Sequence, residues 1–170
     1  MNFKLQGFPK IVNIVSLWDL GRRVEIKGKS GKTSKRFNAD VIKDNKKSLL
    51  VFESGKIIAT GFTSVQNAKH FIKQTFPSDR PSFVNVVNMT ASGALNLHVD
   101  VFKFVQNNRN VSYEPEIYPA IYWKDNKVCV TYYPKGSYIV TGVRSRKQLS
   151  EISQKFFKSL AKYINAPKEN

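Results

Sequence analysis

The segment Phe52-Glu-Ser-Gly-Lys-Ile-Ile-Ala-Thr-Gly61 returns in the second half of the chain as Tyr133-Pro-Lys-Gly-Ser-Tyr-Ile-Val-Thr-Gly142. The echo runs further. Val12-Asn13-Ile14-Val15 is answered by Val84-Asn85-Val86-Val87, and Lys35-Arg36-Phe37 by Glu116-Ile117-Tyr118. A self-match on this scale marks one structural unit built twice, and two copies are too few for a solenoid. The 170 residues therefore predict one pseudo-symmetric domain with enough chain to bury a core. Function is expected on a surface running across both halves.

Each copy reads as strands followed by a helix. In the first, apolar runs at residues 11–17, 37–43, 48–52 and 57–61 read as strands, with a turn at Ser54-Gly55-Lys56. Then the period changes. Val65, Ala68, Ile72 and Phe76 fall at helical spacing, Thr63 and Gln66 form a capping-box pattern, and Pro77 ends the run. In the second copy, residues 83–89, 117–124, 127–133 and 138–142 read as strands, and residues 94–104 are ambiguous, with a short helix as one option. Ser145 and Gln148 form the second capping box, ahead of Leu149, Ile152, Phe156, Leu160 and Tyr163 on a longer helix. The one clear linker is 77–82. The repeats are thus expected at 8–77 and 82–164, followed by a loose tail at 165–170. Strands closed by a helix, twice over, predict an α+β fold with an antiparallel sheet and helices on one face.

The sheet so predicted has two apolar faces. With Ser54-Gly55-Lys56 as a three-residue loop, Phe52 lies opposite Ile58 and Leu50 opposite Thr60, on one face. Val51, Ile57 and Ala59 take the other. In the second copy Thr131, Tyr133, Ile139 and Thr141 share one face, and Val130, Tyr132, Tyr138 and Val140 the other. One helix per copy covers one face. The remaining face is apolar, dotted with threonine, and bordered by Lys35, Arg36, Lys43, Lys46, Lys47 and Lys56. Such a face marks an interaction site, unless the two copies pack on each other as a sandwich core. The basic border favours the interaction site, since a core needs no cationic rim.

Charge points the same way. The chain carries 28 Lys and Arg against 12 Asp and Glu, a net charge of +16. The partner is expected to be anionic: nucleic acid first, a membrane surface second. An apolar, hydroxyl-bearing face with a Lys/Arg rim suits a minor groove, which offers sugar surface, base acceptors and flanking phosphates. The single cysteine, Cys129, allows no internal disulfide and fits an intracellular, reducing compartment. No apolar run is long enough to span a membrane, and residues 1–10 lack the apolar stretch of a secretory leader.

Other signals are weak. Gly28-Lys-Ser-Gly-Lys-Thr33 imitates a phosphate-binding loop, but that pattern needs glycine where Ile26 stands. His70 and His98 stand alone, and no Cys/His cluster has metal-ligand spacing. No local motif suggests a catalytic set, so no enzymatic activity, metal or cofactor is expected. Lys147, Lys155, Lys158 and Lys162 read as the solvated face of the last helix, with a second docking surface as the alternative.

Over residues 8–164 the chain resembles the two-repeat core of the TATA-box-binding protein family. The resemblance rests on residues 52–61, on Ser112-Tyr-Glu-Pro-Glu-Ile-Tyr-Pro119, and on the paired Asn13 and Asn85. It implies a saddle: a curved antiparallel sheet whose concave face sits on the minor groove, with helices on the convex side. By the same resemblance Asn13 and Asn85 donate to base acceptors, and Thr60, Thr131 and Thr141 lie nearby. Val15, Val87, Leu50, Ile58 and Ile139 pack on sugars and base edges. Phe37 with Phe52, and Tyr118 with Tyr133, are the wedges that kink the duplex. Arg36, Lys43, Lys56 and Lys124 hold phosphates. Lys135 is the substitute for a lysine expected where Ser137 stands. Glu114, Glu116 and Ile117 form the stirrup that docks a transcription factor IIB-like protein.

The implied function is to bind and bend A·T-rich promoter DNA and to recruit that factor and RNA polymerase. The alternatives are a non-specific architectural DNA bender and a binding module of a DNA- or RNA-processing enzyme. The chain departs from the family pattern in its tyrosine wedges, in Asp40 at an apolar position, and in a short first repeat. The last departure puts contacts to a second initiation factor in doubt. A bare core with degenerate repeats hints at a divergent or viral version. The address is then the nucleus or, for a virus, a cytoplasmic factory or the virion. Weak self-association through the concave face is a further expectation.

Overall fold

The structure, a computed structural model, describes residues 8–26 and 39–164. The glycine-lysine loop at 28–33, Lys35, Arg36, Phe37 and the tail at 165–170 lie outside the described residues. The fold is α+β, with nine antiparallel strands and three helices among the described residues. Contacts divide it into two compact units, one spanning Val12–Asn88 and the other built from Met89 onward with the start of β1.

The first unit contains β1 (Lys10–Asp19), β2 (Ala39–Asp44), β3 (Lys47–Phe52), β4 (Lys56–Phe62) and α1 (Val65–Thr75). Its strands lie in the order β2-β3-β4-β1. Side chains alternate across a strand, and the burial follows that alternation. Ile14, Ser16, Trp18, Leu49, Val51, Ile57 and Ala59 are buried, together with Ala68 and Ile72 of α1. The polar groups on this face are satisfied locally: the Trp18 indole N–H donates to Ser16 Oγ at 2.9 Å. The cap of α1 differs from the expected Thr63–Gln66 box. Ser64 is the N-cap, and its Oγ accepts from Asn67 N at 3.1 Å. Either hydroxyl fits a cap preference, and the extended backbone at Ser64 decides between them.

The register of the hairpin also differs. Leu50 faces Ile58 and Ser48 faces Thr60. The reason is that the turn sits one residue earlier than Ser54-Gly55-Lys56: Gly55 N–H donates back to Phe52 O at 2.8 Å. A slip of two residues keeps every side chain on its face, whereas a slip of one would invert them. The assignment of faces is therefore unchanged.

The second unit takes β5 (Ser82–Ala94) from Met89 onward, then α2 (Val101–Gln106), β6 (Val111–Tyr113), β7 (Ile121–Asp125), β8 (Val128–Tyr132), β9 (Ser137–Val143) and α3 (Arg146–Ala161). Its strand order is β5-β9-β8-β7-β6. The strand expected at 117–124 starts only at Ile121, because Ile117 N and Tyr118 N both turn back to Glu114 O at 3.0 and 2.9 Å. Residues 94–104 divide between the end of β5 and α2. Phe156 of α3 packs against Trp123, Tyr132 and Tyr138, with ring centroids 5.7, 5.8 and 6.2 Å away. Ser145 caps α3 as expected, accepting from Gln148 N at 3.0 Å.

A second, shorter echo emerges at the β-turns. Lys43-Asp-Asn-Lys46 and Lys124-Asp-Asn-Lys127 each close a two-residue hairpin. Asn45 and Asn126 take left-handed backbones there, φ 52° and 53°, a conformation asparagine tolerates.

Tyr132 is fully buried, and its hydroxyl has no partner among the described residues. Burial raises its pKa. A buried hydroxyl without a partner forfeits hydration. Tyr132→Phe should therefore leave the protein equally stable or stabilise it by about 1 kcal/mol. A lower urea midpoint for the variant would show that the hydroxyl has a partner after all.

Candidate nucleic-acid interface

On the side of the first unit away from α1, strand pairing lines up two rows. Val41, Leu50, Ile58 and Leu17 are successive cross-strand partners from β2 to β1. Lys43, Ser48 and Thr60 form the next row. The second unit builds the same two rows from different chemistry. Tyr122, Thr131, Ile139 and Ser92 make the first, and Lys124, Cys129 and Thr141 the second. Every one of these residues is half-buried or exposed, while their strand neighbours on the opposite face are mostly buried. The helices thus leave one apolar, hydroxyl-bearing face open in each unit. Leu17, Val41 and Tyr122 belong to these rows and were missed as candidates. Strand parity would have placed all three.

Asn13 is the best-defined polar group on the first face. Its Oδ1 accepts from Gly61 N–H at 2.8 Å. That bond fixes which end of the amide is nitrogen. Nδ2 leans towards Thr60 Oγ1 at 3.4 Å and carries a second N–H. Val15 is half-buried two residues on, and Asn85 and Val87 are exposed on β5.

The two tyrosines proposed as wedges meet. Tyr118 and Tyr133 hydroxyls lie 2.6 Å apart, with ring centroids at 6.1 Å in an edge-on arrangement. Tyr118 also stacks on Tyr122, at 6.1 Å and 21°. The hydrogen bond shared with Tyr118 raises the Tyr133 phenol above its ordinary pKa. Phe52 is half-buried at the end of β3. Its expected partner Phe37 and the expected phosphate ligand Arg36 lie outside the described residues.

The other cations are exposed: Lys43 and Lys124 at the ends of β2 and β7, Lys56 at the start of β4, and Lys135 in the turn before β9. Lys56 is tethered to Asp19, Nζ to Oδ2 3.5 Å. Glu114, Glu116 and Ile117 project from the turn between β6 and β7, Ile117 with 84% of its surface exposed. Among the described residues no group of His, Cys, Asp or Glu is arranged to hold a metal. No described helix is long and apolar enough to cross a membrane.

A twice-built α+β unit with one face under a helix and one open, polar-dotted face defines a class of two-repeat, open-faced sheet folds. Comparison with known proteins narrows the class. The profile of the family "Transcription factor TFIID (or TATA-binding protein, TBP)" matches residues 8–78 and 83–163. The chain is 32% identical to the TATA-box-binding protein of Archaeoglobus fulgidus, over 85% of this chain and 92% of that one. It is 26% identical to that of Tetrahymena thermophila, over 92% and 71%. Among solved structures, Methanococcus jannaschii TBP superposes with a TM-score of 0.79 at 22% identity, covering 91% of this chain and 98% of that one. The chain belongs to the TATA-binding protein family, which is one of DNA-binding transcription factors and not of enzymes. The relatives named here are archaeal and ciliate, and they lend no support to a viral origin.

Proposed function

We propose that this chain is a transcription initiation factor of the TATA-box-binding type. It binds A·T-rich promoter DNA through the minor groove, bends it, and presents the complex to a IIB-like factor and RNA polymerase. The repeats at 8–77 and 82–164 each supply one helix-free face. The observation that carries the reading is Asn13, whose Oδ1 is engaged by Gly61 N–H, so that the amide nitrogen, 3.4 Å from Thr60 Oγ1, is the end left to donate. An A·T pair presents only acceptors in the minor groove, so a fixed donor in an apolar surround suits that floor.

Wedge insertion is carried over from the family, where it kinks the duplex at a cost of a few kcal/mol per step. Phe52 and the Tyr118–Tyr133 pair supply it here, with Phe37. Arg36, Lys43, Lys56, Lys124 and Lys135 flank the phosphates. Val15, Val87, Leu50, Ile58 and Ile139 pack on the groove walls beside Thr60, Thr131, Thr141 and Asn85. The protein acts where promoter DNA lies, in nucleus or cytoplasm, under reducing conditions that suit its free Cys129.

The test is gel-shift binding to an A·T-rich duplex and its G·C-substituted counterpart at several salt concentrations. A clear A·T preference is expected, with log affinity falling against log salt at a slope of roughly −4.5 for five phosphate contacts. Equal affinity for both duplexes reduces the protein to a non-specific architectural binder.

The turn bearing Glu114, Glu116 and Ile117 is the proposed seat of the IIB-like factor. Glu116→Arg should abolish the ternary complex of factor, protein and DNA while the binary complex survives. A ternary complex that persists in native gels places the factor elsewhere.

A further inference from the structure

The Tyr118–Tyr133 pair has a chemistry that a pair of phenylalanines lacks. Each phenol offers one donor and two lone pairs. In the 2.6 Å contact one hydroxyl donates to the other. One O–H then remains free, and both oxygens keep an accepting lone pair. The pair is held in place by the Tyr118–Tyr122 stack. Tyr122 faces Thr131, which in turn faces Ile139, so the cluster is continuous with the open face of its unit. The first repeat places hydrocarbon at the matching position: Phe52 carries no polar atom on its ring.

The minor groove distinguishes base pairs by one group. An A·T pair shows acceptors, and a G·C pair adds the guanine amino donor. A phenylalanine edge strips water from that amino group and returns no hydrogen bond, which is unfavourable. A tyrosine oxygen accepts it. The free O–H can instead donate to adenine or thymine.

We propose that the hydrogen-bonded Tyr118–Tyr133 pair relaxes base selection at the end of the element it meets, so that this end accepts either G·C or A·T. The base pairs met by Phe52, whose ring carries no such oxygen, keep the A·T requirement. The proposal rests on the minor-groove reading above and deepens it.

The experiment uses a palindromic A·T-rich element with G·C placed at one end, at both ends, or at neither. Affinities are measured by competition for the wild type and the Tyr118→Phe/Tyr133→Phe double variant. The wild type can turn round on a palindrome. It should therefore bind the one-ended duplex within about threefold of the parent and lose roughly tenfold on the two-ended duplex. The double variant should lose roughly tenfold on the one-ended duplex already. Inosine in place of guanine, which lacks the amino group, should restore its binding.

Two results overturn the proposal: a wild type that rejects the one-ended duplex as strongly as the variant does, or a variant that inosine fails to rescue. If neither protein prefers the parent over the two-ended duplex, the minor-groove reading itself falls, and this proposal with it.

Discussion

Replacing Asn13 by aspartate should lower affinity for an A·T-rich duplex by about 100-fold while leaving thermal stability nearly unchanged. The two side chains have the same shape, and the aspartate retains the bond that matters to the fold. Its carboxylate still accepts from Gly61 N–H, which Asn13 Oδ1 meets at 2.8 Å. What disappears is the amide nitrogen. Two N–H donors become an oxygen, which in the proposed minor-groove complex would face base acceptors between flanking phosphates. Loss of a donor to a buried acceptor costs about 1–3 kcal/mol, and an added negative charge makes the juxtaposition repulsive.

Asn13→Ala separates the terms. It removes donor and acceptor together without adding charge, so its binding loss should be smaller, about tenfold. It also strands the Gly61 N–H and should cost about 1 kcal/mol of stability. Thr60→Val should do little by comparison, because the Asn13–Thr60 contact is long at 3.4 Å. Fluorescence anisotropy on a labelled duplex, with a thermal melt of each variant, checks the series. Undiminished binding by Asn13→Asp would remove this side chain from the interface.

The faces of the sheet were legible in the sequence because strand periodicity is two and survives errors of two. Misplacing Leu50 opposite Thr60 instead of Ile58 left both on the correct face. Where structure depends on a turn, the sequence was less informative. The run at 117–124 is apolar enough for a strand, yet Glu114 O captures the amides of Ile117 and Tyr118 and holds the chain in a turn until Ala120. β6 was missed because Val111–Tyr113 is too short to show a period. The candidate site divides in the same way. Leu50, Ile58, Thr131 and Thr141 share a face by strand parity, whereas Asn13 is singled out only by the family resemblance. The contact between the hydroxyls of Tyr118 and Tyr133 does not, because it joins two loops flanking β7 and β8 and no local pattern records it.

The duplicated glycines carry the largest expected effect on stability. Gly55 has φ +84° and Gly136 has φ +99°, where an L side chain is strained. The space is closed as well. A Cβ on Gly55 would sit 1.9 Å from Arg22 O, and one on Gly136 2.0 Å from Leu95 O. Both obstacles are backbone and cannot swing aside. Each glycine is also tied at both ends. Gly55 N–H donates to Phe52 O at 2.8 Å, and its carbonyl accepts from Leu20 N at 3.0 Å. Gly136 makes the same pair, to Tyr133 O at 2.8 Å and from Leu95 N at 2.9 Å.

Relieving the clash must break at least one of these bonds. Gly55→Ala or Gly136→Ala should therefore cost about 3–5 kcal/mol, strain and lost bonds together. That is a large part of the roughly 5–15 kcal/mol that holds a domain folded, and it should lower the melting temperature by roughly 10 °C. Ser54→Ala and Lys135→Ala lie in the same turns at exposed positions and should stay within about 0.5 kcal/mol of the wild type. Urea unfolding of the four variants reads the difference directly. Because each turn begins at a proposed wedge, Phe52 or Tyr133, any folded fraction of a glycine variant should also bind DNA more weakly than its stability loss alone explains. A Gly136→Ala protein with wild-type unfolding and wild-type DNA affinity would show that neither the left-handed turn nor the wedge it positions is needed.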